Sequence, residues 1–162
     1  MYYFAYGSNM SSKRLNARIK ATKYANGKLL KHKLKFHKIS KDGSGKCDAF
    51  ETGDSNDFVL GVVYEIDKND LEQLDRFEAK GKGYERKEVE IILEDENTIS
   101  AITYYATNIG DSFLPYDWYL KHVLFGAEEN KLENTYINYI RKIYSKKDTD
   151  KSREVRELSI YN

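Results

Sequence analysis

The chain has 162 residues, 40% of them hydrophobic and 33% charged, with a formal net charge of +1. That length suits one domain with a core large enough to need no disulfide or structural metal, and the near-neutral charge gives no electrostatic footprint for nucleic acid or an anionic membrane. A single cysteine, Cys47, excludes an intrachain disulfide; there is no basic-then-apolar leader and no run near the ~20 apolar residues of a transmembrane helix, so the expectation is a cytoplasmic protein.

Tyr2 to Tyr6 reads as a short buried strand stopped by Gly7-Ser8-Asn9. Met10 to Arg18 reads as a short helix, with Ser8, Asn9 and Ser11 as candidate caps because their side-chain oxygens can accept from orphan N–H groups. From Leu29 to Ile39, the residues Leu30, His32, Leu34 and Phe36 alternate with Lys31, Lys33 and Lys35, the period of one strand with a wet face. On that pattern His32 is a core histidine and His37 faces solvent. Asp42 to Lys46 is a turn, Cys47 to Thr52 a short strand and Gly53 to Asp57 a second turn. Phe58 to Ile66 is nearly all apolar, which predicts a strand covered on both faces.

Asp67 to Asp70 opens a helix that carries Leu71, Leu74 and Glu78 and stops at Gly81-Lys82-Gly83. Tyr84 to Leu93 and Ile99 to Thr107 form a hairpin across Asp95-Glu96-Asn97. Pro115 to Phe125 is a helix with the proline in its first turn, and Leu132 to Tyr144 is a second, striped by Leu132, Tyr136, Tyr139, Ile140 and Ile143. The Tyr-rich stretch from Tyr136 to Tyr144 packs on the core by default; the alternative is a second copy of the chain in a homodimer. Residues 145–162 are charged and weakly periodic, a surface helix or loose tail following a domain over 1–144. Strands and helices mix without regular alternation, which favours the α+β class.

Leu71, Leu74 and Glu78 lie at i, i+3 and i+7, so a carboxylate shares a helical face with two core residues. Desolvation and the negative helix end would both raise its pKa, making it a proton acceptor near neutrality. Against this, Phe77 is adjacent and can take the core position, leaving Glu72, Asp75 and Glu78 as a solvated acidic edge. The other candidates carry less. His32, His37 and His122 have no metal-ligand spacing, and Gly43-Ser44-Gly45-Lys46 has the wrong spacing for a phosphate loop. Lys46 can lower the thiol pKa of Cys47, but a lone cysteine on a strand is usually inert packing. Tyr104 and Tyr105 are adjacent on a strand, so one points in and the other out. Gly7-Ser8-Asn9, between a strand and a helix, exposes successive backbone N–H groups: an anion or oxyanion site, or simply a turn with an N-cap.

The run Tyr3-Phe4-Ala5-Tyr6-Gly7-Ser8-Asn9 resembles the opening signature of the γ-glutamylcyclotransferase-like family. Leu60 to Tyr64 is similar to its central strand, and Leu74-Asp75-Arg76-Phe77-Glu78 with Gly83-Tyr84 to its acidic segment. Tyr104 to Asn108, Pro115 to Tyr119 and Gly126 to Asn130 continue the likeness in order, over roughly Met1 to Ile143. One departure is Ala79-Lys80, where members usually carry glycine and a small apolar residue. The resemblance implies a small closed β-barrel wrapped by helices, with a pocket at its mouth. It implies conversion of a γ-glutamyl amide into 5-oxoproline and a free amine, with Glu78 as general acid/base and no metal or organic cofactor. By position, the backbone from Tyr6 through Gly7, Ser8 and Asn9 would hold a carboxylate or oxyanion, and Tyr84, Tyr104 and Tyr119 would line the pocket. The partner is then a small-molecule γ-glutamyl substrate, either an amino-acid conjugate, or a γ-glutamylamine or biosynthetic intermediate. The loops after Gly43 and over Asn108 to Phe113 would shape that choice. A non-catalytic binding module on the same fold is the alternative from a different class.

Overall fold

In the computed structural model, which describes residues 1–162, the opening strand β1 (Tyr2–Ala5) has a neighbour on each edge. The other strands are β2 (Ala21–Leu30), β3 (His32–Ile39), β4 (Gly45–Glu51), β5 (Phe58–Ile66), β6 (Tyr84–Leu93) and β7 (Thr98–Ala106). Five of them close into a barrel in the order β1-β5-β2-β6-β7, and β7 returns beside β1 in parallel, with Ile102 opposite Tyr3. β3 and β4 form a separate hairpin. The helices are α1 (Ser12–Asn16), α2 (Leu71–Phe77), α3 (Asp117–Glu129), α4 (Asn134–Arg141) and α5 (Lys151–Leu158). None is long and apolar enough to cross a membrane. The architecture is the expected α+β fold, a small closed barrel wrapped by helices.

β5 is the axis of the barrel. It pairs with β1 on one edge and β2 on the other, and Val59, Val62 and Val63 have no exposed surface, which is why its sequence lacks an alternating face. Its ends match the predicted strand residue for residue.

Two expectations on the preceding strands need correction. Leu29 to Ile39 is not one strand: Lys31 turns the chain with φ at 61°, ending β2 at Leu30 and starting β3 at His32. His37 is not on a wet face. The β3–β4 register shifts between Lys35 and Lys38, and a bulge reverses the alternation beyond it. His37 is therefore buried, with Nε2 at 2.8 Å from Asp48 Oδ2. Asp48 Oδ1 also accepts from the Ala106 N–H at 2.8 Å, so this pair ties the hairpin to β7. His32 is buried, with Nδ1 2.7 Å from the Leu30 carbonyl oxygen.

α3 runs four residues past the predicted end, and Pro115 lies just before its N-cap Tyr116 rather than in its first turn. α4 buries Tyr136, Ile137 and Ile140, while Tyr139 sits at the edge and donates its hydroxyl to the Leu34 carbonyl at 3.0 Å.

Residues after 144 pack back onto α3. Buried Asp148 accepts from Trp118 Nε1 at 2.8 Å and from two nitrogens of Arg153 at 2.6 Å each. Beyond α5, a short 3-10 turn (Ser159–Tyr161) brings Tyr161 against His122. Arg14 can only donate, so His122 Nε2, 2.9 Å from Arg14, accepts, and Nδ1–H donates to the Tyr161 oxygen at 2.8 Å. Tyr161 passes a hydrogen bond on to Ser11 Oγ at 3.1 Å, and Ser11 caps α1 at the Arg14 N–H. The chain terminus thus braces the first helix.

Burial beside Arg14 holds His122 neutral, its pKa lowered from 6.5 to about 4. A histidine lowered in the fold binds its proton later than in the unfolded chain, so its contribution is complete above pH 6.5 and declines as pH falls to about 4. Urea unfolding across that window is expected to show a loss of about 3 kcal/mol in the wild type that is missing from His122→Gln.

Candidate active site

The opening turn is placed by barrel closure. β1 ends at Ala5, held between β5 and β7, and Tyr6 carries the chain into a 3-10 turn over Ser8–Met10. Gly7 is needed for space: a Cβ there would lie 2.9 Å from Cys47 Cβ on β4. The N–H groups of Gly7, Ser8 and Asn9 donate to no turn, loop or side-chain acceptor. The same turn takes α3 at close range, since a Cβ on Gly126 would meet Met10 Cβ at 2.5 Å. Of the three candidate caps, Ser11 caps α1 and Asn9 does something else.

α2 delivers the acid. Leu74 is completely buried, Phe77 turns outward at 49% exposure, and Glu78 follows as the C-cap. The Glu78 side chain is 15% exposed and points toward β1. Its Oε1 accepts from Asn9 Nδ2 at 2.8 Å and from Arg18 at 3.2 Å. Asn9 also donates to the Tyr3 hydroxyl at 3.0 Å, and its Oδ1 accepts from Arg18 at 2.9 Å. Glu78 Oε2 engages no protein donor. The structure thus gives Glu78 a half-buried counter-charge, Arg18, which periodicity did not foretell.

A small hollow, open to solvent, is lined by ten residues. All eight residues singled out from the sequence are among them: Glu78, the stretch Tyr6 to Asn9, and Tyr84, Tyr104 and Tyr119. Tyr3 and Cys47 complete the wall. Most of the phenol groups are held by the protein itself. Tyr6 donates to the Tyr104 carbonyl at 2.6 Å, Tyr84 to the Cys47 carbonyl, and Tyr119 accepts from the Cys47 N–H at 3.1 Å. Tyr104 points inward, as one of the adjacent pair must, and donates to Asp75 Oδ1 at 2.6 Å. Burial pushes all four phenols well above their ordinary range, so they are neutral walls.

Cys47 is packing: burial pushes its thiol up, and Lys46 instead pairs with Asp42 at 2.9 Å and lies over Trp118 at 4.4 Å. No three His, Cys, Asp or Glu side chains converge as a metal-ion set would.

Sequence reasoning missed Tyr3, Arg18 and Asp75. Asp75, read as part of a solvated edge, accepts two bonds from Arg86, at 3.1 and 2.9 Å, besides that from Tyr104. Its signal was present in the quoted segment ending at Glu78, one turn before the acid. Arg18 had none: it meets partners nine and sixty residues away across the closed barrel.

Residues 3–121 match the family model described as "Gamma-glutamyl cyclotransferase, AIG2-like". The chain is 32% identical to the gamma-glutamylcyclotransferase of Bos taurus, covering 96% of this chain and 83% of that one. To the Homo sapiens gamma-glutamylcyclotransferase it is 30% identical over 96% of this chain and 86% of that one. A solved gamma-glutamyl cyclotransferase structure superposes with a TM-score of 0.88 at 29% identity, covering 100% of this chain and 99% of the other. The chain belongs to the AIG2-like γ-glutamylcyclotransferase family, whose reaction type is γ-glutamyl cyclotransfer.

Within that frame Ala79 is a misfit with a physical basis. Its φ is 50°, in the left-handed region that favours glycine, next to the acid itself. Ala79→Gly is expected to raise unfolding free energy by about 1 kcal/mol, read from denaturant midpoints at unchanged slope.

Proposed function

We propose that this member of the family cyclises a γ-glutamyl amide to 5-oxoproline and a free amine, with Glu78 as general acid/base and the Gly7-Ser8-Asn9 backbone as carboxylate or oxyanion site. The observation that carries the reading is the 2.8 Å bond from Asn9 to Glu78, which sets the acid and the row of unengaged N–H groups around one hollow.

The chemistry is an intramolecular acyl transfer. The α-amine of the γ-glutamyl unit attacks the γ-carbonyl carbon, closing a five-membered ring. The attacking nitrogen must shed one proton, and the departing nitrogen must gain one, because an amide anion is a poor leaving group. Glu78 Oε2 is suited to carry that proton from one nitrogen to the other, while Oε1 stays anchored by Asn9 and Arg18. The C–N bond to the leaving amine breaks as the tetrahedral intermediate collapses, and no water is consumed. The negative charge that develops on the carbonyl oxygen is stabilised by fixed N–H donors such as those of Gly7, Ser8 and Asn9. Much of the remaining advantage is conformational: a walled pocket holds the substrate folded for ring closure. The phenols of Tyr6, Tyr84 and Tyr104 serve as walls, because their protons are spent on protein acceptors.

Incubation with γ-glutamyl-amino acids is expected to release 5-oxoproline. Glu78→Gln, which keeps the shape and loses the base, should reduce turnover by about 10²- to 10⁴-fold while the fold, followed by circular dichroism, is retained. Turnover that survives Glu78→Gln removes the proposed base.

A further inference from the structure

Five phenols line the hollow, and three of them have no proton left for a ligand: Tyr6, Tyr84 and Tyr104 donate to the Tyr104 carbonyl, the Cys47 carbonyl and Asp75. The other two, Tyr3 and Tyr119, act only as acceptors. Tyr119 takes the Cys47 N–H, with the Cys47 side chain against its oxygen. Tyr3 takes Asn9 Nδ2 at 3.0 Å, and its own O–H reaches no protein acceptor. Tyr3 is only 4% exposed, and a donor withdrawn from water without an acceptor is costly. An oxygen atom of a ligand in the hollow is the acceptor that removes that cost.

The position of that O–H is fixed. Tyr3 sits in β1, with Tyr64 opposite on β5 and Ile102 opposite on β7. Its ring meets Tyr104 edge to face, the centroids 6.0 Å apart. One nitrogen, Asn9 Nδ2, donates both to Tyr3 and, at 2.8 Å, to Glu78 Oε1, so the phenol and the acid are neighbours across a single amide. Glu78 exchanges protons with the attacking and the departing nitrogen. In the tetrahedral intermediate both nitrogens are bonded to the carbon that carries the former carbonyl oxygen. A donor beside the acid therefore stands within reach of that oxygen. Accepting from Asn9 also makes the Tyr3 O–H a stronger donor. Burial and the Glu78 charge push the phenol well above its ordinary range, so its proton is offered and not released.

Resting on the cyclotransferase reading, we propose that Tyr3 is a further catalytic residue, whose O–H donates to the γ-carbonyl oxygen of the substrate and stabilises the negative charge that develops there. No proton leaves Tyr3. It stays a neutral donor while Glu78 carries the proton from one nitrogen to the other. A hydrogen bond to an oxyanion is stronger than one to a neutral carbonyl, so the contact favours the intermediate over the bound substrate.

The test follows turnover of γ-glutamylalanine together with the infrared carbonyl stretch of bound 5-oxoproline, isotope-labelled at the ring carbonyl that derives from the γ-carbonyl. Tyr3→Phe, which removes only the hydroxyl, is expected to lower kcat by about 10²-fold with KM nearly unchanged, as for a contact made in the transition state. The bound carbonyl stretch is expected to move to higher frequency in the variant, because losing a donor stiffens the C=O bond. A tyrosine that only braces Asn9 would leave that stretch in place. Tyr3→Met serves as a second donor-free variant should Tyr3→Phe fold poorly by circular dichroism. With wild type active, an unchanged kcat, a rise in KM alone, or a fall in kcat with the stretch unmoved overturns the assignment. A stretch that depends on Tyr3, with no 5-oxoproline formed by wild type, upholds the donor and sinks the cyclotransferase reading instead. A wild type that neither turns over the dipeptide nor binds 5-oxoproline overturns both.

Discussion

The Asn9 carboxamide is the joint on which the site depends. One side chain donates to Glu78 and Tyr3 and accepts from Arg18, so the first turn, the end of α2 and the approach to β2 meet at a single group. These segments are far apart in sequence, and only the barrel brings them together. β1 is held on both edges, which fixes where the turn emerges; β5 runs antiparallel to β1 and ends beside its start, and the segment through α2 then returns to bring Glu78 to the turn. A planar amide with two donors and one strong acceptor matches a carboxylate, a phenol and a guanidinium at once. An aspartate would set two carboxylates together, and a leucine would leave Arg18 and Glu78 to find each other unaided.

Around that joint, polar groups are satisfied by protein partners almost everywhere except where they face the hollow. Tyr6, Tyr84 and Tyr104 are each tied to a carbonyl or carboxylate, and Asp75 is in turn held by Arg86. A wall built this way is stiff, because turning any ring breaks a buried hydrogen bond. Among the groups left unengaged are one oxygen of Glu78, three backbone N–H groups and the Ser8 hydroxyl. A pre-organised site looks like this, with its framework closed and only its ligand-facing groups left open.

Legibility in the sequence followed the locality of the signal. β5 and β6 were readable to the residue because their composition is set by burial along the strand itself. Glu78 was readable because a seven-residue spacing put it on the face of Leu71 and Leu74, and the turn at Gly7 because small polar residues end an aromatic run. β2 was hidden: Thr22, Lys23 and Tyr24 are exposed in succession, and a register shift after Lys23 spoils the period. The same cause inverted His37, since a bulge cannot be seen in alternation that simply continues through it. Arg18 and Asp75 acquire their partners only through contacts made by barrel closure. No local pattern encodes those contacts, and an arginine or lysine in a polar stretch has the same sequence signature whether it ends in solvent or beside an acid.

The charges at the site make one further argument. Arg18, with 18% of its side chain exposed, is committed to Glu78 Oε1 and to the Asn9 carboxamide oxygen. A guanidinium held by two acceptors fixes the orientation of the carboxylate it pairs with, and the second oxygen of Glu78 is left without a protein donor. One carboxylate thus has two unlike ends, an anchored oxygen and an unengaged one, and the asymmetry is set by the same turn that follows β1.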